Sequence, residues 1–95
     1  MQDYELMAII SAESDQAQQD SFLKKIEELI IKAGGAVKET VKMGKRDLAY
    51  EIKKQSTGIY FLWNFSMEES AVKDFENRLH NDESLLRYLL LTKNF

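Results

Sequence analysis

Two stretches of this 95-residue chain place apolar residues every three or four positions, and both are flanked by stretches in which apolar residues alternate. That order of periodicities fixes the sequence of elements before any other consideration. Residues 4–10 alternate as a strand, with Tyr4, Leu6, Ala8 and Ile10 on one face and Met7 and Ile9 on the other. Asp15, followed three residues later by Gln18, forms a capping-box pattern that opens a helix. Its apolar stripe is Phe22, Leu23, Ile26, Leu29, Ile30 and Ala33, and Gly34-Gly35 supplies the left-handed geometry that ends it. The next extended stretch changes parity: Val37, Val41 and Met43 are odd-numbered, whereas Leu48, Tyr50 and Ile52 are even-numbered. A regular strand cannot exchange its apolar face, so one extra residue is expected between 43 and 48, with Gly44 the natural bulge. Gln55-Ser56-Thr57-Gly58 reads as a turn into a strand bearing Ile59, Phe61, Trp63, Phe65 and Met67 on one side. Ser66 and Glu69 read as a second capping box, for a helix with Val72, Phe75 and Leu79 inward and His80-Asn81 at its end. Leu85 to Thr92 is the last strand.

Each helix has a single apolar stripe, and the four strands suffice for one sheet, so both helices belong on one sheet face. The predicted class is α+β: a ferredoxin-like β-α-β-β-α-β fold with a four-stranded antiparallel sheet. At 95 residues there is room for one domain, 1–95, and no second core. Zero cysteines exclude a disulfide framework, a thiolate zinc site and a cysteine nucleophile. No apolar run reaches the roughly 18 residues that span a bilayer, so no membrane partner is expected. The N-terminus lacks the basic region of a signal peptide, and a cytoplasmic location follows as the expectation.

Catalytic signals are weak. His80, the only histidine, falls in the last turn of a helix, where an imidazolium suits the dipole. Gly34, Gly35, Gly44 and Gly58 match no phosphate-binding glycine loop. Glu27-Glu28, Glu68-Glu69 and Asp82-Glu83 are sequence neighbours whose side chains diverge, and metal-ligand spacing is absent. No catalytic residue, metal, cofactor or small-molecule substrate is therefore assigned. The formal net charge of −3, taken alone, argues against nucleic acid, yet it is unevenly spread. Residues 32–54 carry seven positive and three negative side chains, a local +4 against −7 elsewhere. Binding responds to local potential within about a Debye length of 8–10 Å rather than to the total. The bland account is a solvated edge strand bearing lysines against aggregation. The aromatic strand fits the RNA-recognition motif poorly, because Thr57 and Ile59 occupy positions where basic and stacking residues are needed.

Residues 44–54, Gly44-Lys45-Arg46-Asp47-Leu48-Ala49-Tyr50-Glu51-Ile52-Lys53-Lys54, resemble the G-x-R-x-L-A-Y-x-I-x-K segment of the bacterial small-subunit ribosomal protein six family. The likeness extends through Gly58-Ile59-Tyr60-Phe61-Leu62 and Asn64-Phe65, with Tyr4-Glu5 and Leu86-Arg87-Tyr88-Leu89-Leu90 at the two ends. The resemblance implies a non-enzymatic structural protein of the small ribosomal subunit. It also implies binding to the central domain of 16S ribosomal RNA, together with ribosomal protein eighteen, during assembly. On this likeness the RNA-binding residues are Tyr4, Lys45, Arg46, Lys53, Lys54, Arg87 and Lys93, and the partner-binding residues are Leu48, Ala49 and Tyr50. Their chemistry agrees: Arg46 offers a planar fork to phosphate oxygens, and the lysines displace counterions.

Several positions depart from the family pattern. Gln2 and Asp3 stand where arginines are common, Asp47 where a basic residue is frequent, and Glu51 in place of a common proline. The expected consequence is a chain that relies on its protein partner for RNA affinity. The chain ends at Phe95, so contacts made by a longer tail are not carried over. Two other readings share the fold. A regulatory domain binding a small molecule and dimerising through its sheet leaves the cluster at 38–54 unexplained. An acylphosphatase-like enzyme needs an arginine loop that Ser11-Ala12-Glu13-Ser14 does not provide.

Overall fold

The computed structural model describes residues 1–93; Asn94 and Phe95 lie outside the described residues. The elements run β1 (Gln2–Ser11), α1 (Gln16–Lys32), β2 (Ala36–Ile52), β3 (Gln55–Met67), α2 (Glu69–His80) and β4 (Leu85–Lys93). The sheet order is β2-β3-β1-β4 with every neighbour antiparallel, which is the predicted topology. Tyr4, Leu6, Ala8 and Ile10 of β1 and Ile59, Phe61, Trp63, Phe65 and Met67 of β3 are buried, together with Phe22, Ile26 and Ile30 of α1 and Phe75 and Leu79 of α2. Phe22 lies 5.6 Å from Phe61 and Phe75 lies 5.5 Å from Phe65, so both helices cover the same face.

Asp15 caps α1 as expected: its side chain accepts from the Gln18 amide at 2.8 Å, and the Gln18 side chain accepts from the Asp15 amide at 2.9 Å. Gly34, at φ 83°, follows the helix. The parity change is a bulge where predicted: Lys42 pairs with Phe61 and Gly44 with Tyr60, so one residue is inserted, and Gly44 takes φ 83°. A second register shift, between Val37 and Glu39, corrects the odd-numbered set: Val37, opposite Phe65, packs toward the helices, whereas Val41, opposite Leu62, lies on the open face.

Two local expectations are corrected. Ser66 does not cap α2. It is held in the ladder opposite Asp3 and Ala36, and Glu68 takes the cap position without a side-chain cap bond. The turn before β3 is not Gln55–Gly58 but the pair Lys53-Lys54, with Ile52 opposite Gln55. Both lysines have positive φ, 49° and 66°, as a two-residue hairpin turn of the primed type requires.

The turn after α2 is tied to α1 by Asp82, whose side chain is 7% exposed. Asp82 accepts from the Ser84 amide at 3.0 Å and the Ser84 hydroxyl at 2.6 Å, and pairs with Lys25. Burial pushes this carboxyl up, but the bonds from Lys25 and Ser84 outweigh it and hold the group below the ordinary value of 3.8. A depressed folded-state pKa contributes stability that is present above the unfolded value and lost as pH falls through the folded one. Asp82→Ala is therefore expected to cost about 1–3 kcal/mol at pH 7 and much less at pH 2. Urea unfolding at the two pH values checks this; an equal loss at both removes the charged form as the cause.

Candidate nucleic-acid interface

The face of the sheet away from the helices is uncovered and is read from the register. Four rows cross it: Arg46, Gly58 and Ser11; Gly44, Tyr60, Ile9 and Arg87; Val41, Leu62, Met7 and Leu89; Glu39, Asn64, Glu5 and Leu91. Its middle is apolar, and Leu89 and Leu91 are 51% and 47% exposed. Beyond Arg46 the β2–β3 hairpin does not continue flat. Leu48, Ala49, Tyr50 and Ile52 enclose a hollow of about 210 Å³ with Ile9, Tyr60 and Arg87. A Cβ at Gly58 would come within 2.5 Å of Ile9 Cγ2 and 3.5 Å of Leu48 Cδ2, so the missing side chain lets those two residues pack over the strand.

Ion pairing divides the cations that sequence alone treats as one cluster. Lys38 donates to Asp3 at 2.7 Å and Lys42 to Asp20 of α1 at 3.0 Å. Those bonds hold the Asp3 and Asp20 carboxyls below their ordinary values. Lys45, Arg46, Lys53 and Lys54 are all exposed, and none forms an ion pair within the described residues. The unpaired positive charge of residues 38–54 is thus focused on the hairpin arm, with Arg46 leaving from the open face, Lys45 from the helix side, and the other two at the tip.

The remaining predicted site residues separate. Leu48, Ala49 and Tyr50 lie on the same arm. Arg87, on the far edge strand, joins them: its guanidinium carbon sits 5.3 Å from the centroid of the Tyr50 ring. Lys93 lies at the opposite end of the sheet, paired with Glu5 at 3.6 Å, and its backbone carbonyl accepts from Gln2. Tyr4 is corrected as a surface contact. Its position in the alternation points it toward the helices, where it is 5% exposed and stacks on Phe65 at 5.6 Å. Burial, with Glu69 and Glu68 nearby, raises its hydroxyl pKa, so it behaves as a core ring. No group of three or more histidine, cysteine or acidic side chains suited to a metal occurs among the described residues. No helix among them is long and apolar enough to cross a membrane.

Comparisons with known proteins agree with this geometry. A family model described as Ribosomal protein S6 matches residues 3–92. The small ribosomal subunit protein bS6 of Micrococcus luteus is 39% identical over 87 residues, covering 92% of this chain and 86% of the relative. That of Dictyoglomus turgidum is 37% identical over 90 residues, covering 95% and 93%. In three dimensions the chain is similar to the 30S ribosomal protein S6 of Thermotoga maritima, with a TM-score of 0.91 over 97% of this chain and 87% of the other at 24% identity.

Proposed function

The chain belongs to the ribosomal protein S6 family, and from that premise we propose that it is a non-catalytic protein of the small ribosomal subunit that binds 16S ribosomal RNA jointly with ribosomal protein eighteen. One observation carries the RNA-binding part: the cations free of ion pairs in residues 38–54 are gathered on one hairpin arm. Lys45, Arg46, Lys53 and Lys54 supply phosphate contacts there, whereas Lys93, at the far end of the sheet, must leave its pairing with Glu5 to contribute. Leu48, Ala49 and Tyr50, beside the uncovered apolar face, form the protein-partner contact.

The positions that depart from the family pattern support dependence on that partner. Asp3 engages Lys38, and the Gln2 side chain is bonded to the Lys93 backbone, so neither strengthens the field toward a phosphate. About four phosphate contacts predict a slope near −3 for log affinity against log salt. Titrating the central-domain RNA with the chain alone and with protein eighteen tests this. Tight binding of that slope is expected only with the partner. Tight, salt-sensitive binding by the lone chain overturns the partner dependence, and no binding in either arm overturns the function.

A further inference from the structure

Arg87 and Tyr50 occupy strands at opposite edges of the sheet, with β3 and β1 between them. Neighbouring strands are about 4.8 Å apart, so a flat sheet would hold these residues roughly 14 Å apart. The two long side chains close that gap to 5.3 Å by leaning toward each other, and the hollow that Leu48, Tyr50 and Ile52 share with Ile9 and Arg87 brings the end of the hairpin over the open face. We propose that Arg87 is a positioning residue for RNA binding: it latches the basic hairpin over the sheet through the Tyr50 ring, rather than touching phosphate itself. This rests on the RNA-binding reading above and concerns how its principal element is held.

Three observations support the latch. Arg87 forms no ion pair among the described residues, and the Tyr50 ring, itself 56% exposed, is the partner over which its guanidinium sits. Lys53 lines the same cleft as Arg87, together with Asp82 and Glu83 of the turn after α2, so the hairpin tip lies against the start of β4, where an attraction to Arg87 can hold it. A guanidinium over an aromatic face supplies one, beside the apolar hollow that Leu48 and Ile52 line with Ile9. The tip that the latch restrains also holds the only non-glycine positive-φ residues among those described, Lys53 and Lys54. A strained conformation of that kind persists where its surroundings over-determine it. A pre-positioned arm spends less ordering entropy when it meets a phosphate backbone, so its loss weakens binding without removing a charge contact.

Arg87→Met and Tyr50→Leu, with Tyr50→Phe as the ring-preserving control, separate the roles in two measurements. Backbone order parameters of residues 50–55 are expected to fall from about 0.85 to below 0.6 in Arg87→Met and Tyr50→Leu, and to stay high in Tyr50→Phe. With saturating protein eighteen, central-domain RNA affinity is expected to drop about three- to tenfold in Arg87→Met. Its salt slope should match the wild type. Unchanged hairpin order overturns the latch, as does a loosened hairpin with unchanged affinity. A slope reduced by about one in Arg87→Met assigns that residue a direct phosphate contact and likewise overturns it. Wild-type chain that fails to bind RNA beside its partner refutes the functional reading itself; wild-type binding with any of the preceding outcomes refutes the latch alone.

Discussion

Phe61→Ala is expected to destabilise the chain by about 3–5 kcal/mol, enough to consume most of the stability of a small domain at the lower end of the usual 5–15 kcal/mol range. Phe61 is fully buried, stacks on Trp63 at 5.7 Å and 19°, and meets Phe22 of α1 at 5.6 Å. Removing its ring leaves a cavity where the sheet and α1 meet, and the flanking rings cannot close it without leaving their own contacts. Leu89→Ala, on the open face, should cost no more than about 0.5 kcal/mol, because half of Leu89 is already in water. Urea unfolding followed by circular dichroism and by the fluorescence of Trp63, the single tryptophan, measures both. Under conditions where Phe61→Ala remains folded, its RNA affinity should match the wild type. Lost RNA affinity with unaltered stability would make the aromatic stripe a base-stacking platform and reverse this account of the strand.

The orientation of that stripe was legible because alternation carries it. Once β1 and β3 each show one dense apolar face, two helices with single stripes have only that face to cover, and Tyr60, Leu62 and Asn64 are left outward. The bulge at Gly44 was legible for the same reason, since a change of parity is a local signal. What escaped is long-range or of low contrast. The bulge near Lys38 puts Val37 and Val41 on opposite faces although both are odd-numbered, and the polar Lys38, Glu39 and Thr40 between them carry no sign of the slip. Gln-Ser-Thr-Gly carries the usual turn composition, yet the chain turns two residues earlier on a pair of lysines, because the strands need the twist of a primed turn and not its preferred residues. Lys38 and Lys42 are neutralised by Asp3, 35 residues away, and Asp20, 22 residues away, so the +4 of residues 32–54 overstated the extent of the basic surface and understated its focus. Tyr4 is set apart from the other proposed contacts by its own parity, which turns it inward with Leu6, Ala8 and Ile10. The contact between Arg87 and Tyr50 could not be read at all, because it depends on how far the hairpin coils across strands that intervene.

Replacing Lys53-Lys54 by Asn-Gly should stabilise the protein and weaken its hold on RNA at once. A residue with a Cβ in the left-handed region costs about 1–2 kcal/mol, and Asn-Gly is the pair that a two-residue primed turn prefers. With φ of 49° and 66° already in place, the substitution needs no backbone movement. A net gain of about 1–2 kcal/mol is expected, seen as a rise in Tm of roughly 4–8 °C per kcal/mol. The same change removes two exposed ammonium groups without ion-pair partners, so the salt slope for RNA should shrink by about 1.4–1.8 and affinity at low salt should fall tenfold or more. Lys53→Arg with Lys54→Arg separates the two effects: it preserves charge and strain together, so Tm and salt slope should both stay near wild type. If Asn-Gly raised Tm and left the salt slope intact, the strain would have no connection with RNA, and the phosphate contacts would rest on Lys45 and Arg46 alone. If both quantities move as expected, the hairpin tip is a place where the chain forgoes stability to keep two positive charges side by side at the end of its arm.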